Sequence, residues 1–235
     1  AATATGDLDV TESTLNIIGS GTDQTFIDGA QIDRLFHVLP GFTLNLSNLT
    51  LLRGNASTTD NGGAILNQGT VALRNVQVLD SSAARGGAIF NDTTGTLTVT
   101  NSLFRGDTAY LQGGAIFNSG SLELTGSSIG VATQLSANLT NLLTATTVTV
   151  ADVSQFPATP GFVIRIDSEE MRVTAISGNQ FTVTRAVNGV LAAHSQNALV
   201  SQGNFANAHG GGLYNLGNAL ITQDFFVGNV ADSRG

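Results

Sequence analysis

The sequence predicts an all-β fold: a right-handed single-stranded parallel β-helix, three short strands per coil, with a small antiparallel β-domain inserted into one coil. Three observations lead there. The composition is one of strands and tight turns, with Gly at 28 residues against 3 Pro, no Trp and no Cys. A short segment of the form Gly-Gly-Ala-Ile-Phe-Asn recurs along the chain. Its spacing is regular except for one large jump. Thr, Ser, Asn and Val are abundant throughout, and no stretch sustains a helical period.

The recurring segment reads Gly62-Gly-Ala-Ile-Leu-Asn67, Gly86-Gly-Ala-Ile-Phe-Asn91, Gly113-Gly-Ala-Ile-Phe-Asn118 and Gly210-Gly-Gly-Leu-Tyr-Asn215, so that the Asn residues are 24, 27 and 97 positions apart. A second strand follows each, at Val71–Asn75, Leu97–Asn101, Leu122–Gly126 and Leu220–Gln223; an earlier copy lies at Leu44–Asn48. A third short strand is expected at Leu103-Phe104 and Phe225-Phe226, with a polar turn such as Arg105–Thr108 closing the unit. One such coil cannot bury its own apolar face. Stacked coils bury a continuous core and pair their backbones about 4.8 Å apart. The Gly doublet opens each unit where the chain bends, and Asn67, Asn91, Asn118 and Asn215 are expected to stack as a side-chain amide ladder at one corner.

The stretches Leu15–Gly19, Phe26–Gly29 and Leu35–Val38 read as earlier, less regular coils. Residues 1–130 and 203–235 then form a rod of about six or seven coils, on the order of 30 Å long. The 97-residue jump places an insertion at Val131–Gln202. Its strands are expected at Thr146–Val150, Phe162–Ile166, Glu170–Ile176 and Gln180–Arg185, with a hairpin turn at Ser177-Gly-Asn179. Gly235 falls where the next Gly doublet is due, so either further coils are expected to follow in the native polypeptide or another molecule to abut this face, with any export signal or anchor outside this sequence.

The run Thr5-Gly-Asp-Leu-Asp-Val-Thr, Leu15-Asn-Ile-Ile-Gly and Phe26-Ile-Asp-Gly, followed by Gly-Gly-Ala-Ile-Phe-Asn units, resembles the β-helix of large bacterial surface proteins. Those proteins often carry a CSLREA-type domain upstream, and their repeats are similar to those of chlamydial polymorphic outer membrane proteins. The insertion, through Phe156-Pro157, Ile166–Thr174, Val183–Gly189 and His194, resembles a small β-module of phage tail proteins and giant bacterial surface proteins; it departs from that pattern at Ala186 and at Val190-Leu191. The resemblance implies an exported protein of a bacterial outer surface.

Charge excludes several classes. The net charge is −8 and every basic residue is Arg, without a basic cluster, which argues against nucleic acid and anionic membrane surfaces. No apolar run is long enough to span a bilayer. β-Helix glycosidases and lyases need clustered carboxylates on one wall; here Asp80, Asp92, Asp107, Glu123, Asp224 and Asp232 are scattered. No catalytic residues are therefore assigned, and no cofactor is expected. His37, His194 and His209 lie too far apart in sequence to suggest a metal site. Arg105-Gly106-Asp107 spells an integrin-binding tripeptide at a turn that wants Gly and Asp for backbone reasons. Glu169 and Glu170 with Arg165, Arg172 and Arg185 read as a solvated salt-bridge face.

One pattern points outward. If Ile65, Ile89, Ile116 and Leu213 face the core, alternation puts Leu66, Phe90, Phe117 and Tyr214 in a stripe on the outer face. An apolar stripe suits lateral contact with another chain of this protein or with a surface polysaccharide. The functional expectation is a non-catalytic extracellular or cell-surface protein, structural or adhesive. The alternative is a carbohydrate-active enzyme or phage tailspike.

Overall fold

The computed structural model describes residues 6–154 and 156–231, with Phe205 by its backbone alone. Gly235, read above as the place of the next Gly doublet, and Asp232 lie outside the described residues. Every described element is a β-strand. No described helix is long and apolar enough to cross a membrane, which says nothing of strands. By contacts the chain divides into two compact units: the described residues to Gly130 together with those from Gly203, and Val131–Gln202.

The first unit is a parallel β-helix of about five turns. Its first sheet stacks Leu8–Val10, Phe36–Val38, Ile65–Asn67, Ile89–Asn91, Ile116–Asn118 and Leu213–Asn215, all parallel and in register. The recurring Gly doublet explains how each coil enters this sheet. Gly62, Gly86, Gly113 and Gly210 hold φ between 61° and 69°, where a Cβ would strain the backbone. The second glycine answers a different need: a Cβ on Gly63 would strike the Gly87 carbonyl, and one on Gly87 the Gly114 carbonyl, in the coil above.

The second sheet carries the paired strands Thr43–Leu52 and Thr70–Leu79, each bent at a left-handed Asn, Asn48 (φ 54°) or Asn75 (φ 51°). In the next coil Asn101 (φ 49°) separates Thr96–Thr100 from Leu103–Arg105. The strand expected at Leu103-Phe104 thus belongs to the second sheet, as its far half. The third sheet is built from Ser82–Arg85, Thr108–Gln112, Phe205–Ala206 and Val230–Ala231, where the sequence predicts no strand; Thr108 itself closes the turn expected at Arg105–Thr108. Small side chains such as Ala83 and Ala109 face the interior there, so the strand lacks the bulky alternation that marks the other two.

The turn count also differs from the six or seven expected. Thr14–Ile18 and Phe26–Asp28 both pair with Thr43–Leu52, so the early segments are faces of one coil rather than successive coils. Leu46, Leu51, Ile65, Leu73, Val78, Ile89, Val99, Phe104, Ile116 and Ile129 fill the core at 1 % exposure or less. The chain leaves this stack after Gly130 and re-enters it at Gly203.

The second unit is a six-stranded antiparallel half-barrel in the order Val131–Gln134, Leu199–Gln202, Val163–Ile166, Glu169–Ser177, Gln180–Thr184, Thr147–Thr149. The bridge between Leu135 and Val150 brings its outer strands toward each other. Ile164, Met171, Val173 and Phe181 are fully buried inside, with Phe156 and Phe162 set against Phe181 at 5.3 and 5.8 Å. Four of the six strands fall where the alternation placed them; the other two, Val131–Gln134 and Leu199–Gln202, complete the sheet.

Candidate functional site on the outer face of the first sheet

The strands of the first sheet have a buried–partly buried–buried pattern at Phe36–Val38, Ile65–Asn67 and Ile89–Asn91, so the middle residue of each points outward. Strict register then lines up one outward column: Asp9, His37, Leu66, Phe90, Phe117 and Tyr214. The rings of Phe90 and Phe117 stack at 4.8 Å and 9°, and Phe117 and Tyr214 lie 5.2 Å apart at 30°. His209 extends the row, its ring 6.2 Å from that of Tyr214. Leu66, Phe90 and Tyr214 are half-buried and Phe117 is buried, so the stripe is a self-stacked ridge whose rings cover one another.

The stripe ends at a polar cluster. His37 Nδ1 lies 3.3 Å from Asp9 Oδ1, and its Nε2 lies 3.2 Å from Gln68 Oε1. Gln68 in turn donates from Nε2 to Asp92 Oδ2 at 3.0 Å. Asp7 is close by, held 3.6 Å from Arg34 Nε. Dispersal in sequence hid this cluster. The signal lay in the matching triplets Leu8-Asp-Val and Phe36-His-Val, which stack Asp9 under His37. Beyond Asp92 runs an open groove lined with hydroxyl and amide groups of Thr93, Thr94, Ser119, Ser121 and Asn218. No Asp, Glu or His is among its lining residues.

Behind the column, the Asn side chains form a continuous ladder. Asn67 Nδ2 donates to Asn91 Oδ1 at 2.7 Å, Asn91 to Asn118 at 2.6 Å, and Asn118 to Asn215 at 2.6 Å. Each donor also reaches a backbone carbonyl of the following coil, Thr96, Ser121 or Asn218. A second ladder, unseen in the sequence, follows the corner before the third sheet. Ser81 N–H donates to Asp107 Oδ1, Asp107 N–H to Asn204 Oδ1 and Asn204 N–H to Asn229 Oδ1, at 2.9–3.0 Å.

Of the scattered carboxylates, Asp107 and Asp224 hold backbone N–H groups of neighbouring residues. Asp107 is completely buried and Arg105 is 6 % exposed, so the Arg-Gly-Asp tripeptide is inside the helix wall and unavailable to a receptor. Burial pushes the Asp107 carboxyl well above its ordinary value, against the pull of the Ser81 N–H. Burial likewise raises Asp80 and lowers Arg105, with the two charges partly offsetting one another. Asp224 binds the backbone N–H groups of Ser127 and Thr222.

In the second unit the expected solvated salt-bridge face is corrected. Glu169 and Arg185 are buried and joined by two hydrogen bonds, Nε to Oε1 at 2.6 Å and Nη2 to Oε2 at 2.7 Å. His194, also buried, bridges Glu169 Oε2 at 3.0 Å and Asp167 Oδ2 at 2.7 Å. Arg185 further donates to the carbonyls of Thr140, Ala145 and Ala192. Arg165 and Arg172 instead bind the backbone carbonyls of Asp167 and Gly161. The group ties the segments around 140–145 and 186–194 to the sheet, and only Asp167 reaches solvent.

Comparison with protein-family models, with curated proteins and with solved structures finds no match for this chain.

Proposed function

We propose that this protein is a non-catalytic structural or adhesive component of an extracellular or cell surface, in which the β-helix is a spacer and display scaffold. The observation that carries this reading is the outward row Phe90–Phe117–Tyr214, one aromatic per coil at ring separations of 4.8 and 5.2 Å. The half-buried faces of Leu66, Phe90 and Tyr214, held in line by the buried Phe117 ring between the last two, offer apolar contacts to a repetitive partner, a surface polysaccharide or the same ridge of a second chain. The adjoining hydroxyl-lined groove supplies hydrogen-bonding groups for a sugar. Support for a non-catalytic role comes from the ionisable groups: Asp107, Glu169, Arg185 and His194 are buried in ladders and clamps, away from any substrate. The resemblance of the coils to polymorphic outer membrane protein repeats supports an exported bacterial setting.

The test combines three measurements on the wild type and on a Phe117→Ala/Tyr214→Ala double variant. Retention on a panel of bacterial polysaccharides, or a concentration-dependent mass in light scattering, is expected for the wild type and at least tenfold weaker in the variant. The same panel assayed for released reducing ends is expected to stay intact. Polysaccharide cleavage would favour the alternative, a carbohydrate-active or tailspike-like enzyme. A monomer that binds no polysaccharide would overturn the adhesive reading.

A further inference from the structure

We propose that two loops of the second unit, residues 139–145 and 186–193, form a tip that docks on a zwitterionic lipid surface by inserting aliphatic side chains among the headgroups. Five large aliphatics stand in the open on these loops: Leu142, Leu143, Val187, Val190 and Leu191 are 37–63 % exposed. Single apolar residues are ordinary on a protein surface, whereas gathered ones mark a contact. Here one buried guanidinium gathers them.

Arg185 bonds to both loops. Its Nη1 donates to the carbonyls of Thr140 and Ala145, toward either end of the first, and its Nη2 donates to that of Ala192 in the second. Leu139 and His194 exchange both backbone hydrogen bonds at 2.8 Å, which sets the loops side by side. Each loop is also fixed within its own surroundings. Ala145 N–H returns to the Leu142 carbonyl, Val187 N–H reaches the Glu170 carbonyl, and Val190 N–H reaches Asn188 Oδ1. Ala186 and Ala192 donate their N–H groups to the Glu169 carboxylate. The tip thus carries its leucines and valines on a backbone with these polar groups already bonded, which lowers the cost of withdrawing it from water.

Charge and area select the occupant. Neither loop contains Asp, Glu, Arg or Lys, so no ionised side chain of these segments has to leave water with the aliphatics. The exposed Asp167 carboxylate, held on His194 where the second loop ends, and the net charge of −8 both disfavour an anionic leaflet. The aliphatic surface amounts to a few hundred Å², short of the roughly 800 Å² that each partner gives to a stable protein–protein contact. A lipid surface sets no such threshold, since binding there grows with whatever apolar area is immersed. Asn141 and Thr144, exposed beside the two leucines, are neutral donors for phosphate and ester oxygens.

The experiment is flotation of the full chain with vesicles of phosphatidylcholine, and of phosphatidylcholine and phosphatidylserine at three to one, at low ionic strength. The wild type is expected to float with the first and more weakly with the second. Leu142→Ser/Leu143→Ser and Val190→Thr/Leu191→Thr, both confined to exposed side chains, are each expected to weaken binding roughly fivefold or more. Ile32→Ser, at an 82 % exposed position of the first unit, is expected to change nothing. The chain has no Trp, so Leu143→Trp supplies a single depth probe: its emission is expected to shift to the blue and to be quenched by brominated lipid, and that of Ile32→Trp to do neither. Phe117→Ala/Tyr214→Ala is expected to float as the wild type does, so failure here and failure of the adhesive reading are separate results. The proposal is overturned by no flotation with phosphatidylcholine, by binding to the mixed vesicles as tight or tighter, or by binding undiminished in both double variants. A concentration-dependent mass abolished by Leu142→Ser/Leu143→Ser would identify the tip as a contact between copies and overturn it equally.

Discussion

Asn91 and Asn118 meet side chain to side chain inside the helix, Nδ2 of the first donating to Oδ1 of the second at 2.6 Å, and neither has any exposed surface. Asn91 also accepts from Asn67 below and donates to the carbonyls of Gly95 and Ser121. Every polar atom of that amide is satisfied by a coil above, below or beside it. Asn91→Ala would leave buried donors and acceptors without partners, at about 1–3 kcal/mol. Asn179→Ala, removing one bond to Ala151 at an exposed hairpin, is expected to cost a few tenths. Urea unfolding of the two variants checks this, and equal losses would contradict a cooperative ladder.

Asp107 holds a ladder position that its successors Asn204 and Asn229 fill with an amide. Their Nδ2 groups donate to the carbonyls of Phe104 and Ile129, at 3.2 and 2.7 Å, while the matching Asp107 Oδ2 is buried with no hydrogen-bond partner among the described residues. Val78 is the register counterpart of Phe104 and Ile129, so its carbonyl is what an amide at 107 would reach. Burial raises the Asp107 carboxyl well above its ordinary value, because it penalises the charged form in the folded chain. The sign follows: this contribution is complete below the usual carboxyl range near pH 4 and is lost as pH rises through the elevated folded value. Asp107→Asn is expected to stabilise the helix by about 1–3 kcal/mol at neutral pH and to flatten that slope. Thermal melts at acid and neutral pH test it; a variant less stable than wild type at neutral pH would sink the idea.

The coil architecture was legible because its cause is local. A left-handed glycine at 62, 86, 113 and 210, with an Asn five residues later that is buried at 67, 91 and 118, marks the entry of four strands into the first sheet. The insertion was legible for the converse reason, since Val131–Gln202 breaks the spacing without breaking the coil. The third sheet stayed hidden because small interior residues such as Ala83 and Ala109 give strands no hydrophobic alternation. The Asp9–His37 pairing stayed hidden because the first coils lack the Gly doublet that sets the register. The Glu169 cluster read as surface because charged residues on a strand usually are. Its burial depends on segments 16 to 45 residues away closing over Arg185, which no local pattern reports.

Glu169 makes that cluster sensitive to acid. Burial works to raise its carboxyl, but the Arg185 hydrogen bonds, the Ala192 N–H, His194 and the guanidinium charge outweigh it and bring the value from 4.5 to about 2. The stabilisation is therefore present above the ordinary value and is lost as pH falls from 4.5 toward 2. Glu169→Gln would strand the buried Arg185 charge, at about 3–5 kcal/mol. Glu170→Gln, on the same strand, is expected to stay within about 0.5 kcal/mol. Hydrogen exchange resolved by segment is the discriminating measurement: protection should fall across Val131–Gln202 and hold in the ladder at Asn67–Asn118. Uniform loss over both units would argue that they unfold as one.

The boundary between the units makes the last prediction. Where the chain leaves the helix, Gly130 has φ 95° and a Cβ built on it would come within 3.3 Å of the Gly203 Cα, so exit and re-entry points are neighbours in the stack. Just beyond them Val131 and Gln202 are antiparallel partners, and the half-barrel between them has its own buried core. Each unit thus pairs its strands within itself and has its own buried core, the condition under which an inserted domain can be excised. Joining Gly130 to Gly203 restores a coil of ordinary length and is expected to give a soluble, β-rich protein that retains the Asn118–Asn215 contact. Val131–Gln202 expressed alone is expected to fold cooperatively and to keep the acid sensitivity of Glu169. Circular dichroism and unfolding curves on the two pieces decide the matter. Aggregation of the deleted helix would show that the insertion is needed to complete its fifth coil, and a disordered Val131–Gln202 fragment would show that its core does not suffice.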